Sequence, residues 1–355
     1  VGFDGTVDII CRPVAARRSH GDDYDSFRTI SAFGNHVVGA DGHSALVEIV
    51  PKKQKIGGNG PLMAEAMARF GARVEYIGTI GAPALHPAYA DFSSIVKCVS
   101  LGEPAITHAL EFDNGKVMLS TLSAYDVISP ASLAERVGTS HMATSFSQAD
   151  LVGLFNWACL PHFVDVLQWL LEEVLPSEAF PNPKRWFFFD LTDPSRRTPT
   201  EIVRALELMA AFGRFGRTIL GMNLNEIRQV SAALSLPEPT NSATGLATAA
   251  QAVRKQTGFN VVMAHPARFA AAAGEQGTAV VAGPFTAQPR ITTGAGDHLN
   301  AGFAFGLTQE WPIDEALALG VLFSGFYVRE GRSPQWTELA RFLDVCLEEN
   351  LISTQ

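Results

Sequence analysis

The stretch Thr292-Thr293-Gly294-Ala295-Gly296-Asp297 concentrates residue types suited to chemistry on an anion. It runs directly into the apolar segment His298-Leu299-Asn300-Ala301-Gly302-Phe303. Two glycines and an alanine leave backbone N–H groups uncovered. A helix that starts there adds about half a positive charge to those unpaired donors. Asp297 then falls in the first helical turn, where a carboxylate can take the proton of an attacking hydroxyl. A glycine-rich helix cap with a capping Asp has the same composition, and composition alone leaves both readings open.

Other candidates lie elsewhere in the chain. Gly57 and Gly58, followed by Asn59, precede a helix, where glycine lets a ligand approach the backbone. Asn223-Leu224-Asn225-Glu226 follows a strand. Read by itself it is a helix cap, Asn223 or Asn225, with Glu226 in the first turn. Asp4 and Asp8 sit toward the end of the first strand and can accept from hydroxyls, or can simply be solvated. Asp190 ends another strand at the same sheet edge. Arg196, Arg197 and Arg290 are possible phosphate clamps. His265 could contact a phosphate and Arg268 neutralise it, but surface residues beside a loop are the favoured reading.

The elements that must hold these residues alternate strand and helix. Residues 1–10 read as a strand, and 11–55 as an irregular excursion from the main sheet. A helix follows, with Pro61 in its first turn and Gly71 at its C-cap. Residues 73–80 form a strand, and 108–120 a hairpin turning at Asp113-Asn114-Gly115. Strands are expected at 151–157, 186–191, 218–222 and 260–264, and helices at 161–174, 201–212 and 244–257. Residues 278–281 pair antiparallel at the edge. The helices 294–307 and 313–329 come last, the second apolar nearly all round and therefore buried. Such alternation implies a mostly parallel sheet covered on both faces, with ligands at the carboxyl ends of its strands.

The chain has 355 residues, 47% of them hydrophobic and 18% charged. That composition supports a single large domain over residues 1–355 and argues against global disorder. A net charge of −9 argues against nonspecific nucleic-acid binding and anionic membranes. Cys11, Cys98, Cys159 and Cys346 form no CxxC pair and read as core thiols in a reducing, cytoplasmic compartment. No run reaches membrane-span length, and no signal peptide is visible.

The segment from Gly294 resembles the C-terminal signature of the PfkB carbohydrate kinases, the ribokinase-like family. Gly294, Ala295, Gly296, Asp297, Ala301, Gly302 and Phe303 match it at fixed spacing. The resemblance implies that Gly294, Ala295 and Gly296 form the anion hole and that Asp297 is the general base. Gly57-Gly58, with Ala68-Arg69-Phe70-Gly71-Ala72 and Tyr76-Ile77-Gly78-Thr79-Ile80-Gly81, resembles the N-terminal signature, where the double glycine packs against the acceptor. Asn223 and Glu226 resemble the family's Asn-x-x-Glu motif, tied to magnesium. Asp8, or Asp4, corresponds to an acidic residue that binds substrate hydroxyls. Ala264 and Gly302 fall near the expected nucleotide site.

The family resemblance implies a three-layer α/β sandwich with a small β lid, here residues 11–55 and 105–120. It implies ATP as co-substrate, Mg²⁺, a sugar or sugar-like acceptor, and a homodimer through the lid. The chain departs from the pattern in four places. Ile291 replaces an Asp that helps hold a monovalent cation, which weakens the case for potassium activation. Ala264-His265-Pro266 replaces a Thr-x-Gly stretch near the nucleotide, removing a hydroxyl and a backbone donor. Leu62 stands where an Asn often meets sugar, a role open to Asn59. Ala82-Pro83 replaces an acidic residue after Gly81. A nucleoside kinase with Phe27 and Phe33 stacking on the base is one alternative. A degenerate sugar- or nucleotide-binding sensor is the other, though an intact Asp297 argues against it.

Overall fold

The computed structural model describes residues 2–177 and 182–354. Its main sheet has ten strands. The run Trp186-Phe187-Phe188-Phe189 shows why it has two covered faces: all four side chains are buried. Successive strand residues point to opposite faces. Phe187 and Phe189 enter one core, with helices Phe163–Trp169, Pro199–Ala211, Leu224–Ala233 and Ala243–Thr257. Trp186 and Phe188 enter the other, with Asn59–Arg69, Ala295–Thr308, Ile313–Glu330 and Trp336–Glu348. Ala270 and Ala272 likewise face the second core, while Ala271 and Ala273 face the first.

Parallel pairs run from Lys97–Ser100 through Glu75–Gly78, Gly2–Phe3, Leu151–Phe155, Trp186–Asp190 and Arg217–Asn223 to Val261–His265. Phe269–Gly274, Gly277–Ala282 and Ser353–Thr354 then add antiparallel strands at one edge. Gly2–Phe3 lies between Glu75–Gly78 and Leu151–Phe155, so chain order reverses there. That reversal is where parallel α/β sheets place ligands, at the carboxyl ends.

The start of the chain is divided differently from the expected strand over residues 1–10. Val1 lies outside the described residues, and the main-sheet strand ends at Phe3. A side-chain carbon on Gly5 would lie 1.9 Å from the carbonyl oxygen of Thr79, so only glycine allows the backbone to pass there. The twelve-residue strand Thr6–Arg17 then leaves for a second, five-stranded sheet. It pairs with Ile49–Gly57, Tyr24–Ser26 and Ala105–Phe112, and the last pairs with Gly115–Thr121. This is the β lid. The excursion is more ordered than expected and includes a helix, Ile30–Val38, capped by the Thr29 hydroxyl. The C-terminal helix Trp336–Glu348 was also not anticipated. Its apolar stripe covers Phe70, with the Trp336 ring 5.0 Å away.

Candidate active site

Asp4 follows the central strand and is fully buried. Oδ1 accepts from the Gly60 N–H at 3.2 Å, and Oδ2 from Asn156 Nδ2 at 3.1 Å. The Tyr76 hydroxyl donates to the Asp4 carbonyl. Both carboxylate oxygens are therefore committed to the protein, at the N-terminus of Asn59–Arg69. Burial, outweighing these bonds, pushes the carboxyl up to about 6. Gly58 (φ +92°) and Gly60 make room for it: a side-chain carbon would lie 2.4 Å or 2.6 Å from its oxygens.

Asp8 lies on the lid strand Thr6–Arg17, directly across from Lys55. It is buried, but no protein group donates to its carboxylate among the described residues. A side-chain carbon on Gly57 would sit 2.6 Å from that carboxyl. The double glycine thus opens space first for the two carboxylates. Burial raises Asp8, against the pull of Lys55 and Lys116.

Asp190 ends its strand and is held on both oxygens. Asn59 Nδ2 donates to Oδ1 at 2.7 Å, the Thr192 N–H to the same oxygen at 3.0 Å, and Asn300 Nδ2 to Oδ2 at 3.0 Å. Asn59 therefore turns its amide to Asp190 and Thr192, leaving only its carbonyl oxygen for a ligand. Asn223 and Glu226 form a reciprocal helix cap: the Asn223 N–H donates to Glu226 Oε2 at 2.8 Å, and the Glu226 N–H to Asn223 Oδ1 at 3.0 Å. Burial and the neighbouring Asp190 push Glu226 up to about 8.

Gly294 caps the helix Ala295–Thr308 in a left-handed conformation (φ +97°), and no side chain bonds the helix start. The Ala295 N–H donates to Thr292 at 3.2 Å. Of the expected anion hole, the Ala295 amide is therefore engaged. Gly296 and Asp297 carry the first-turn donors that a helix leaves free. Two carbonyls of the loop are fixed from behind: the Tyr327 hydroxyl donates to Thr293 at 2.9 Å, and His298 Nδ1 bonds Gly294 at 2.7 Å. His298 Nε2 lies 2.8 Å from Ser333 Oγ, and its ring stacks on Tyr327 at 3.7 Å. Burial pushes His298 down to about 3, so it is neutral and its Nδ1 carries the donated proton. Burial, then the charges of Asp190 and Asp4, raise Asp297 well above the usual carboxylate range, and Lys55 opposes them.

Beside the loop opens a cavity of about 550 Å³, lined by Asn223, His265, Phe285, Ala295, Gly296 and Ser324 among others. His265 is half-buried and faces Gly296, where a side-chain carbon would lie 3.1 Å from its ring. It is a cavity residue, correcting its reading as a bystander; burial lowers it to about 4. Arg268 also borders the cavity, its guanidinium 3.8 Å from the Phe285 ring centre.

Several expected residues lie elsewhere. Ala264 points into the core on the opposite face of its strand and does not line the cavity. Gly302 sits at a helix crossing, where a side-chain carbon would be 2.8 Å from the Leu319 carbonyl; its role is packing. Arg197 donates to the carbonyls of Trp157, Ala158 and Leu160. Arg290 is exposed, 3.8 Å from Glu330. Leu62 is buried with its methyl toward Gly294. Phe27 and Phe33 pack on each other at 5.6 Å, and Phe33 on Phe112, forming the lid's own small core. Sequence reading missed Asn156, Asn300, Lys55 and Lys116. An asparagine in a left-handed conformation after a strand (Asn156, φ 68°) has no sequence signature, and Lys55 follows a run of exposed residues from which nothing local sets it apart.

A family model for prokaryotic ketohexokinase matches residues 1–346. The chain is 29% identical over 343 residues to a ketohexokinase of Haloferax volcanii, covering 96% of this chain and 89% of that one. Its fold is similar to adenosine kinase of Sinorhizobium meliloti (TM-score 0.66, 18% identity, 97% of each chain) and to phosphofructokinase-2 of Escherichia coli (TM-score 0.63, 13% identity, 97% of each chain). It is also similar to ribokinase of Thermotoga maritima (TM-score 0.63, 14% identity, 96% of this chain and 97% of that one). With a ribokinase-like sandwich, a carboxylate at a bare helix N-terminus and a match along nearly the whole chain, this protein belongs to the prokaryotic ketohexokinase family of sugar-phosphorylating, ATP-dependent kinases.

Proposed function

We propose that the acceptor is a ketohexose, in keeping with the name of the Haloferax relative, and that Asp297 is the base. The observation that carries this reading is the position of Asp297. It stands beside the Gly296 amide, where the 550 Å³ cavity borders the loop, and feels the charges of Asp4, Asp190 and Lys55. The cavity takes the nucleotide. Asp8, with its free carboxylate, accepts from ketohexose hydroxyls, and the Asn59 carbonyl oxygen can accept another. Asp4 and Asp190 position rather than bind. Asp297 takes the proton as the hydroxyl attacks, and the Gly296 and Asp297 amides stabilise the charge on the transferred group. The closed lid excludes water.

Asp190, Glu226 and Asp297 are buried or half-buried carboxylates, and none forms an ion pair among the described residues. A divalent cation fits this excess of negative oxygen donors. No three His, Cys, Asp or Glu side chains converge on one point among the described residues, so Glu226 would hold Mg²⁺ through water. Asn223, committed to the cap, is the weaker donor. When bound, Mg²⁺ neutralises and bridges donor phosphates.

The nucleoside alternative loses its stacking pair, because Phe27 and Phe33 face the lid core. With Ile291 in place of the Asp, and with His298 and Tyr327 fixing the loop carbonyls, turnover should not depend on potassium. The lid leaves Val37, Val38, Leu46, Met118 and Leu119 exposed, a surface suited to a homodimer.

The test is ADP release from Mg-ATP with ketohexoses, aldohexoses and nucleosides, with Asp297→Asn as control. Ketohexose-dependent release should fall by about 10²–10⁴-fold in the variant, with acceptor affinity unchanged. Unchanged kcat would remove Asp297 as the base.

A further inference from the structure

The ammonium of Lys55 has no exposure to solvent and no hydrogen-bond partner among the described residues. Its strand, Ile49–Gly57, places it across from Asp8. Its charge acts on Asp8 and Asp297, yet neither carboxylate comes within the 4.0 Å of an ion pair. Burying an unpaired ammonium is costly, and burial accordingly lowers its proton affinity. The buried carboxylates of Asp8 and Asp297 feel its charge without bonding it. Its N–H donors are therefore left free for an anion that arrives between Lys55, Asp297 and the bare helix start.

A second lid lysine ties this arrangement to lid position. Lys116, on Gly115–Thr121, donates to the hydroxyls of Thr292 (3.4 Å) and Thr293, at the mouth of the anion loop. The two lysines come from different strands of the same second sheet, so one body carries both.

We propose that Lys55 is a catalytic residue that contacts the phosphoryl group in flight, from the side opposite the Gly296 and Asp297 amides, and that Lys116 is a positioning residue that latches the lid closed over it. This rests on the kinase reading above. The bond from the terminal phosphorus to the bridging oxygen breaks, and its electron pair leaves with the nucleoside diphosphate. The acceptor oxygen forms the new bond to phosphorus, and its proton passes to Asp297. Lys55 stays protonated throughout and donates to a non-bridging oxygen, neutralising charge that Asp8 and Asp297 would otherwise repel. A fixed cation aimed at a transferring phosphoryl group is a large electrostatic contribution in a water-poor site.

The experiment compares Lys55→Met, Lys55→Arg and Lys116→Met with the wild type in the full chain. In Lys55→Met, kcat should fall by about 10²–10³-fold with the ketohexose KM unchanged, and Lys55→Arg should recover part of it. Lys116→Met should raise nucleotide hydrolysis without acceptor, because the latch is gone. A second arm measures binding of Mg-ADP with aluminium fluoride, a mimic of the transferring group, by calorimetry. Lys55→Met should weaken it about tenfold or more while Mg-ADP alone binds as before. If Lys55 only balances Asp8, the loss will appear in KM and kcat will hold, which overturns the proposal. Equal fluoroaluminate binding overturns it too. A wild type that phosphorylates no ketohexose would sink the proposed acceptor, yet the fluoroaluminate arm would still decide the role of Lys55.

Discussion

Two aspartates four residues apart show how differently the same side chain can be used. Asp4 spends both oxygens on Gly60 and Asn156; Asp8 accepts from no protein donor among the described residues. Removing Asp4 leaves buried donors without a partner, at about 1–3 kcal/mol each. Asp4→Ala should therefore lower the denaturant midpoint markedly. Asp8→Ala should leave the midpoint nearly unchanged and raise the ketohexose KM at least about tenfold, the scale of a lost hydrogen bond to a charged group. Reversed results, with Asp8→Ala unfolding the protein and Asp4→Ala changing only KM, would exchange the two roles.

Among the elements, the helix Ala295–Thr308 does two jobs with one sequence. Its first turn presents bare amides and Asp297, and its middle packs against Ile313–Glu330 through Gly302 and Gly320. A side-chain carbon on Gly302 would approach the Gly320 Cα to 2.9 Å. Gly302→Val should cost about 1–3 kcal/mol by overpacking, read from denaturant unfolding, with the KM for ATP unchanged. A raised ATP KM with no loss of stability would restore Gly302 to the nucleotide site.

Across the whole molecule, buried carboxylates make stability depend on pH. Glu226 is raised from 4.5 to about 8, so the folded chain keeps a proton that the unfolded chain has lost. Its contribution is full below 4.5 and is lost as pH rises toward 8. His265 and His298 act oppositely, being lowered from 6.5 to about 4 and about 3. They favour folding as pH climbs to 6.5 and add no further slope above it. Between pH 6.5 and 8, stability without Mg²⁺ should fall by about 1–2 kcal/mol, and Glu226→Gln should flatten that slope. Magnesium should raise the wild-type midpoint at pH 8 and leave the variant unmoved; an equal rise in both removes Glu226 from the metal site. Sedimentation equilibrium should report a dimer, and Val38→Asp with Leu119→Lys a monomer. A wild-type monomer at micromolar concentration would end the lid-interface proposal.

The sequence by itself determined the layered α/β plan, because burying both faces of a parallel sheet demands near-continuous apolar runs such as Trp186-Phe187-Phe188-Phe189. It also set Asp297 in the first turn of an apolar helix, since glycines before such a run mark its start, while the general-base reading came from the resemblance. Both signals are local, carried by neighbours in the chain. Only the tertiary structure separated Asp4 from Asp8, turned Asn59 toward Asp190, sent Ala264 into the core and gave Gly302 to packing. It alone brought Lys116 to Thr292 and Thr293 and set Lys55 across from Asp8, from positions 61 residues apart in the chain. These outcomes depend on which groups meet across the sheet, and hydrogen-bond partners and burial are properties of those long-range contacts rather than of residue type or spacing.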